Sequence, residues 1–459
     1  VTTTVALFTR DLRVHDNPAL SAAARGADHV VPMFVRDRRI GAGFADGRAR
    51  FLDECLADLD RNLRGLGARL VVREGDPAEE VARLAEEVDA ERVHVAADAS
   101  AFARTREAAL AAALGRRALE VHPDVHAVVP PGGVRPQGGG HFSVFGPYHR
   151  RWQEVPWRPV LPPPERLSLP RLRVGSVPRV SGPGGETKGR ERAASWLDDG
   201  VHDYADQHDA LAEDGTSRLS PYLHLGCVSA LELARRAGDG PGAEAFVRQL
   251  AWRDFHLQVL AARPEVAHRD FRPRGDHWRE DPESLLAWQQ GRTGIPIVDA
   301  GMRQLLAEGW MHNRARLITG SFLTKTLYLD WRAGAAHFFA HLLDGDIANN
   351  CLNWQWVAGT GTDTRPNRVL NPLRQAERYD PDGDYVRRYV PELAHLPGAL
   401  VHQPWRLPER ERGGYPPPLL DLGEGRARFL NARQGSGGRR TSKAESPSSE
   451  NALFDVEDR

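Results

Sequence analysis

Asp344-Gly345-Asp346-Ile347-Ala348-Asn349-Asn350-Cys351-Leu352-Asn353-Trp354-Gln355-Trp356 is the most informative stretch of this chain. It combines two carboxylates, a string of side-chain amides and two tryptophans at spacing two. Carboxylates and amides suit the edge of a heteroaromatic ring that bears both N–H donors and carbonyl acceptors. A capped helix–loop–helix with solvated polar groups is the plainer reading. It fits less well, because Trp-x-Trp is followed by Gly359-Thr360-Gly361-Thr362-Asp363. Arg316 is a natural charge partner for one of the aspartates.

Upstream, seven of the eleven tryptophans fall between residues 252 and 356. Any single one is best read as core. As a set they also offer rings for stacking and easily oxidised indoles for electron hopping. Thr216-Ser217-Arg218-Leu219-Ser220 precedes Pro221. Its hydroxyls and backbone N–H groups suit a phosphate cradle at a helix start, although alone it reads as an ordinary cap. Trp310-Met311-His312-Asn313-Arg314-Ala315-Arg316 mixes an aromatic, an amide and two guanidiniums. Such a set meets phosphates and base edges together, and a solvated basic helix is an equal alternative. In Phe246–Phe255, Gln249 and Trp252 are three apart and share a helix face. A stacking ring beside a bidentate amide can read a base edge.

The N-terminal third alternates β-rich and helical patterns. Val5–Phe8, Val30–Val35, Leu70–Val72 and Val93–Ala96 read as buried strands, with helices over Arg48–Leu66, Ala78–Val88 and Phe102–Leu114 between them. Asp76-Pro77 supplies a cap and a first-turn proline. This order predicts a Rossmann-like α/β domain with a parallel sheet, whose ligands lie beyond the C-terminal strand ends. Thr9-Arg10-Asp11-Leu12-Arg13 follows the first strand, so there is no Gly-rich dinucleotide fingerprint. Pro156–Gly189 is rich in Pro, Arg and Gly, and Pro162-Pro163-Pro164 continues neither helix nor inner strand. Beyond Arg190 the pattern is helical, for example Ile297–Glu308 and Ala335–Leu343. The expected organisation is an α/β domain over 1–130, a connector over 131–189, an all-α domain over 190–430 and a disordered tail over 431–459.

With 459 residues, 41% hydrophobic and 27% charged, the chain reads as a soluble multidomain protein. No apolar run spans a bilayer, and Val1–Phe8 is too short for a secretion signal. A cytoplasmic monomer without a membrane partner is expected. The net charge of -1 excludes a globally basic nucleic-acid binder but leaves room for a local basic surface. Cys55, Cys227 and Cys351 lack metal-ligand spacing and are too few for the usual iron–sulfur cluster, so no metal is expected.

Taken together, the segments from about Val5 to about Trp405 resemble the photolyase/cryptochrome flavoproteins. The most specific are Thr216–Ser220, Trp252-Arg253-Asp254-Phe255, Gly294–Arg303, Trp310–Arg316 and Asp344–Asp363. The closest resemblance is to the class I cyclobutane pyrimidine dimer photolyases. It implies FAD in the helical domain, with Tyr204, Thr216, Ser217, Arg218, Leu219 and Ser220 on its phosphates and ribityl chain. Arg253, Arg316, Asp344 and Asp346 would surround the flavin, and Asn350 would face N5. Trp354, Trp331 and Trp278 match the electron-transfer triad, from the flavin outward. The implied activity is repair of UV-damaged DNA: excited FADH⁻ passes an electron to a flipped-out dimer and regains it. Photolyases are among the enzymes that take their target base out of the stack. Trp252 and Trp356 match the walls of the lesion pocket, and Asn313 the contact to the dimer carbonyls. Arg314, Arg368 and Gln375 match positions on the DNA backbone. Asn350, Gln249 and Asn313 are the implied catalytic set.

Some positions depart from that class. Gln249 stands where Glu is usual and resembles (6-4) photolyases and animal cryptochromes. Asn313 and Leu317 replace the histidine pair of (6-4) repair, and His312 is ordinary in the cyclobutane class, which is therefore favoured. Leu317 replaces a common Met with nearly conserved volume, and His208 an Arg that is frequent there. A cryptochrome-like blue-light receptor is the alternative. Arg48 and Asp98 match contacts to a second, antenna chromophore, either 8-hydroxydeazaflavin or methenyltetrahydrofolate; surface polar groups explain them equally well.

Overall fold

The structure, a computed structural model, describes residues 1–41, 43–213 and 215–435. The part of the expected tail from 436 onward lies outside the described residues.

β1 (Thr3–Phe8), β2 (His29–Arg36), β3 (Val71–Glu74), β4 (Arg92–Ala96) and β5 (Ala118–His122) form one parallel sheet in the order β3-β2-β1-β4-β5. Every residue of β1 is buried, as expected of a central parallel strand covered on both faces. The crossovers are α1 (Pro18–Ala24), α2 (Asp46–Gly65), α3 (Pro77–Glu87) and α4 (Ala101–Leu114). Local chemistry sets their starts. Asn17 accepts from Leu20 N, Asp76 from Ala78 N and Glu79 N, and Ser100 from Ala103 N, with Pro18 and Pro77 in first turns. β5 was not read from the sequence. It is an edge strand whose residues are half-buried or exposed, so it lacks the apolar run that marked the others.

Val5, Leu7, Val93 and Val95 pack with Val81, Leu84 and Leu110 on one face of the sheet. On the other, Ala6, Phe8 and Leu20 join a core that continues through Leu56 and Leu59 to Phe246, Leu250 and Phe255 of the helical part.

The expected connector contains the helix α5 (Phe145–Glu154), anchored by buried Tyr148 and Trp152, and the start of the helix Glu186–Ser195. The Trp152 indole donates to Asp254 Oδ2 at 3.0 Å, and Val129 N donates to the same oxygen at 2.9 Å. The stretch from Glu154 to Glu186 holds no helix or strand, yet it is bound along its length. Val30 N donates to Ser168 O, Leu167 N to Leu66 O and Val72 N to Val174 O.

From Glu186 onward the described residues form helices and no strand. The principal ones are Pro241–Ala262, Pro296–Glu308, Asn313–Ser321, Trp331–His341, Ile347–Ala358, Pro372–Tyr379 and Leu422–Gly435. The last crosses the expected limit at 430. Residues 431–435 are helical, and buried Arg433 donates to Ala358 O at 2.8 Å and to Asp276 Oδ1 at 2.7 Å. Among the described residues no helix is long and apolar enough to cross a membrane.

The loop after β1 is pressed against the helical part. Leu12 N donates to Leu225 O at 3.0 Å, and Arg13 Nη1 to Gly226 O at 2.9 Å. Gly226 has φ +65, and a Cβ there would lie 1.9 Å from Arg10 O. Only glycine permits this approach, which fixes where Arg10 sits.

Candidate functional site

The helix Ile347–Ala358 starts at Asp346, whose Oδ1 accepts from Asn349 N at 2.9 Å. Asn350, Asn353, Trp354 and Val357 then recur on one face. They line a cavity with Asn313, Arg316, Leu317, Phe338 and Asp344. Arg316 Nη2 donates to Asp344 Oδ2 at 2.8 Å, while Arg316 Nε is held by Met311 O at 2.9 Å. Asp344 Oδ1 is buried and has no hydrogen-bond partner among the described residues. Asn350 Nδ2 donates to Ala335 O at 2.9 Å. The cavity thus brings together Asn313, Arg316, Asp344, Asn350 and Trp354, five of the residues chosen from the sequence.

Asp346 goes elsewhere. Its Oδ2 accepts from Arg10 Nη1 at 2.7 Å, and Arg10 also donates to Asp98 at 2.8 Å. Burial alone would raise the Asp346 carboxyl; Arg10, His224 and Arg253 instead hold it well below the usual carboxylate range. Asp346 lines a second and larger cleft of about 880 Å³ beyond the C-terminal ends of the strands. Arg10 follows β1 and Asp98 follows β4, the two strands at which the chain order reverses, which is where open α/β sheets place ligands. Arg48 lines the same cleft and donates to Phe339 O and Gly345 O. Burial, and the neighbouring Arg10 charge against Asp344 and Asp346, bring its guanidinium down to about 10. Arg253 is bound to the backbone oxygens of His126 and Leu223.

The segment Thr216–Ser220 is partly occupied by internal bonds. Arg218 stands at φ +49, donates to Glu308 Oε2 at 3.1 Å and covers the Trp310 ring at 4.3 Å. Ser220 Oγ accepts from the Trp310 indole at 3.3 Å, Ser217 Oγ accepts from Leu219 N, and Leu219 is buried. Thr216 Oγ1 is buried with no hydrogen-bond partner among the described residues. Tyr204 packs edge-on against Trp196 and Phe246.

Trp354 packs against Phe338 at 4.9 Å and Trp288 at 5.9 Å. Trp331 is fully buried, and its indole donates to Asp270 Oδ1 at 2.9 Å. Trp278 is half-buried against Tyr328. Trp354 and Trp331 are thus buried and Trp278 is the most exposed of the three.

Of the residues assigned to the lesion and the DNA, Trp252 stacks on Phe145 with ring centroids 3.7 Å apart and planes 7° apart. The Arg368 guanidinium lies 5.3 Å over half-buried Trp356. Gln249 is half-buried, Asn313 is exposed, and Gln375 is buried with Oε1 lacking a hydrogen-bond partner among the described residues. Arg314, chosen as a DNA contact, is buried: its Nε donates to Asp209 at 3.1 Å and its guanidinium covers Tyr379. His312 Nδ1 accepts from Arg314 N at 3.1 Å, which caps the helix Asn313–Ser321, and burial lowers its imidazole to about 4.

Arg10, Arg106 and His224 were missed as cleft residues by the sequence reading. Arg106 Nε and Nη2 and His224 Nδ1 are buried without hydrogen-bond partners among the described residues. The position of Arg10 immediately after a central parallel strand was the available signal.

Comparison with known proteins accords with this arrangement. Residues 4–166 match the DNA photolyase family, and residues 246–435 match the FAD binding domain of DNA photolyase. The chain is 55% identical to the deoxyribodipyrimidine photo-lyase of Streptomyces griseus, over 94% of this chain and 98% of the relative. A bacterial class III photolyase from Agrobacterium tumefaciens superposes with a TM-score of 0.89 at 31% identity, covering 95% of this chain and 98% of that one. A Synechocystis cryptochrome gives 0.87 at 27% identity, covering 94% and 99%. The chain belongs to the photolyase/cryptochrome family.

Proposed function

We propose that this protein repairs cyclobutane pyrimidine dimers in DNA, using light and bound FAD. The observation that carries the reading is the cavity where Arg316–Asp344, Asn350 and Trp354 meet Asn313, with a buried carboxylate oxygen left for a ligand. The near full-length likeness to a deoxyribodipyrimidine photo-lyase supports the lesion class.

The residues fit FAD. Asp344 Oδ1 is an acceptor suited to a ring N–H, and Thr216 Oγ1 is a hydroxyl suited to a phosphate or ribityl oxygen. Tyr204, Ser217, Arg218, Leu219 and Ser220 complete the cradle. Asp346 and Arg253 act from behind, Asp346 by starting the helix that carries Asn350. In its fully reduced, light-excited state, FAD supplies the electron that opens the cyclobutane ring.

The chain's own task is positioning. Arg316 compensates the Asp344 charge. Asn350, a neutral amide tied to Ala335 O, offers no acidic proton to the cofactor. Trp252 and Trp356 flank the flipped-out dinucleotide. Gln249 both accepts from an imide N–H and donates to a carbonyl, and Asn313 contacts the dimer carbonyls. Arg368 holds the DNA backbone, which makes binding salt-sensitive; Gln375, buried here, joins it only once uncovered. Arg314 joins that contact only after leaving Asp209. Trp354, Trp331 and Trp278 would relay electrons from an external reductant at the surface to oxidised cofactor, each indole being returned to its reduced state.

The cleft, lined by Phe34, Phe44, Phe102 and Phe339, would hold a second, antenna chromophore, 8-hydroxydeazaflavin or methenyltetrahydrofolate, which would supply light gathering. The unpaired nitrogens of Arg106 and the groups Arg48 and Asp98 are there to bind its polar edge.

Trp331→Phe tests the assignment of two electron routes. Photoreduction of oxidised protein should fall at least about tenfold, since phenylalanine is far harder to oxidise. Illuminated repair by chemically reduced variant should match wild type. Equal loss of both, or repair in the dark, contradicts the proposal.

A further inference from the structure

β4 and β5 bring together three side chains that the repair chemistry does not use. In their parallel ladder His94 stands opposite Glu120, and Ala96 opposite His122. Residues two apart on a strand share a face. Val93 and Val95 point into the core with α3 and α4, whereas Ala96 packs with Ala19 of α1. His94, Glu120 and His122 therefore gather on the α1 side, at the open edge of the sheet.

His94 Nδ1 lies 3.1 Å from His122 Nε2 and 3.5 Å from Glu120 Oε2. One ligand atom from each of the three lies within 4.8 Å of the others. Two donors bonded to one tetrahedral Zn²⁺ at about 2.0–2.1 Å are about 3.3–3.4 Å apart. The two shorter separations bracket that tetrahedron edge. Glu120 Oε2 closes on the same His94 nitrogen, so the carboxylate and both imidazoles meet at one place. Arg92 holds Glu120 Oε1 at 3.2 Å and leaves Oε2 turned to His94. His94 is buried, whereas Glu120 is about two-fifths exposed, so an ion has a path from the sheet edge.

We propose that His94, Glu120 and His122 form a Zn²⁺ site, completed by water, that fastens edge strand β5 to β4. Two imidazoles and a carboxylate are a donor set suited to this ion, and the site lacks the soft thiolates that select copper(I). The sequence spacing did not disclose it, because His94 meets the Glu120-x-His122 pair only through strand pairing.

The test uses untagged, full-length, FAD-loaded protein, stripped with a chelator and titrated with ZnCl₂ in a calorimeter. One equivalent should bind per chain and raise the melting temperature, and Co²⁺ in its place should give a tetrahedral visible spectrum. In His122→Gln and Glu120→Gln the affinity should fall about tenfold or more. Both should melt as wild type does in chelator, and both should repair dimers normally. Absence of a saturable equivalent in wild type overturns the proposal. So does an equivalent that persists undiminished in both variants, which would place the ion elsewhere.

Discussion

Asp344 and Asp346 stand two residues apart and serve different cavities. Asp344 shares Oδ2 with Arg316 and keeps Oδ1 for a ligand, while Asp346 caps a helix and binds Arg10 across the cleft. Asp344→Asn keeps the shape and removes the charge that compensates Arg316. A hydrogen bond to a charged group is worth roughly 1.5–3 kcal/mol, so FAD affinity should fall about tenfold to a hundredfold. Calorimetric titration of the apoprotein with FAD measures this; unchanged affinity would remove Asp344 from the site. The two fates were not separable in the sequence. Asp346 is 336 residues from Arg10, and no local pattern announces a pair at that separation.

The helix Trp331–His341 carries Trp331 and, one turn on, Gly334. A Cβ on Gly334 would lie 2.3 Å from Trp354 Cη2 and 2.6 Å from Leu323 Cδ2. Glycine inside a helix costs roughly 0.5–1 kcal/mol relative to alanine, so packing explains its presence here. The missing side chain lets the Trp354 ring lie on the helix that bears Trp331. Gly334→Ala should displace that ring. Transient absorption should show slower photoreduction, and overpacking should cost about 1–3 kcal/mol in denaturant titrations. A variant that is more stable and photoreduces at the normal rate would contradict this packing role. At the scale of elements, the sequence was most legible where burial is two-sided or caps are strong, as in β1 and in α3 behind Asp76-Pro77. It was least legible for β5, which is half-exposed, and for α5, which lies in a stretch read as connector and is held by Tyr148 and Trp152.

Across the whole molecule, one core runs from the sheet to the helix Pro241–Ala262, and the loop after β1 is clamped by Gly226. The cavity beside Asn350 and the cleft share Asp344-Gly345-Asp346 as a common wall. The cavity's composition was readable from clustered motifs; its separation from the cleft depended on contacts between distant segments. The interior also holds neutral histidines. Burial lowers His256 and His312 to about 4, against an ordinary value near 6.5. Between those values the unfolded chain binds protons that the folded protein excludes. Stability is therefore fully present above about pH 6.5 and is lost as pH falls toward 4, by up to about 1.4 kcal/mol per pH unit for each ring. Melting of the FAD-loaded protein should be level from pH 7.5 to about 6.5 and fall from there to pH 5; a flat profile throughout would mean that folding does not lower the proton affinity of these rings.

The central claim is that this cavity delivers a light-driven electron to a cyclobutane dimer. Gln249 makes the lesion class its most exposed part, while Asn313 and Leu317 stand where (6-4) repair needs histidines. The direct measurement gives chemically reduced, FAD-loaded protein two oligonucleotides, one with a thymine cyclobutane dimer and one with a (6-4) photoproduct. Both are followed under blue light and in darkness. Restored thymines are expected from the cyclobutane substrate alone and only in the light. Repair of the (6-4) substrate alone, or of neither, would contradict the claim.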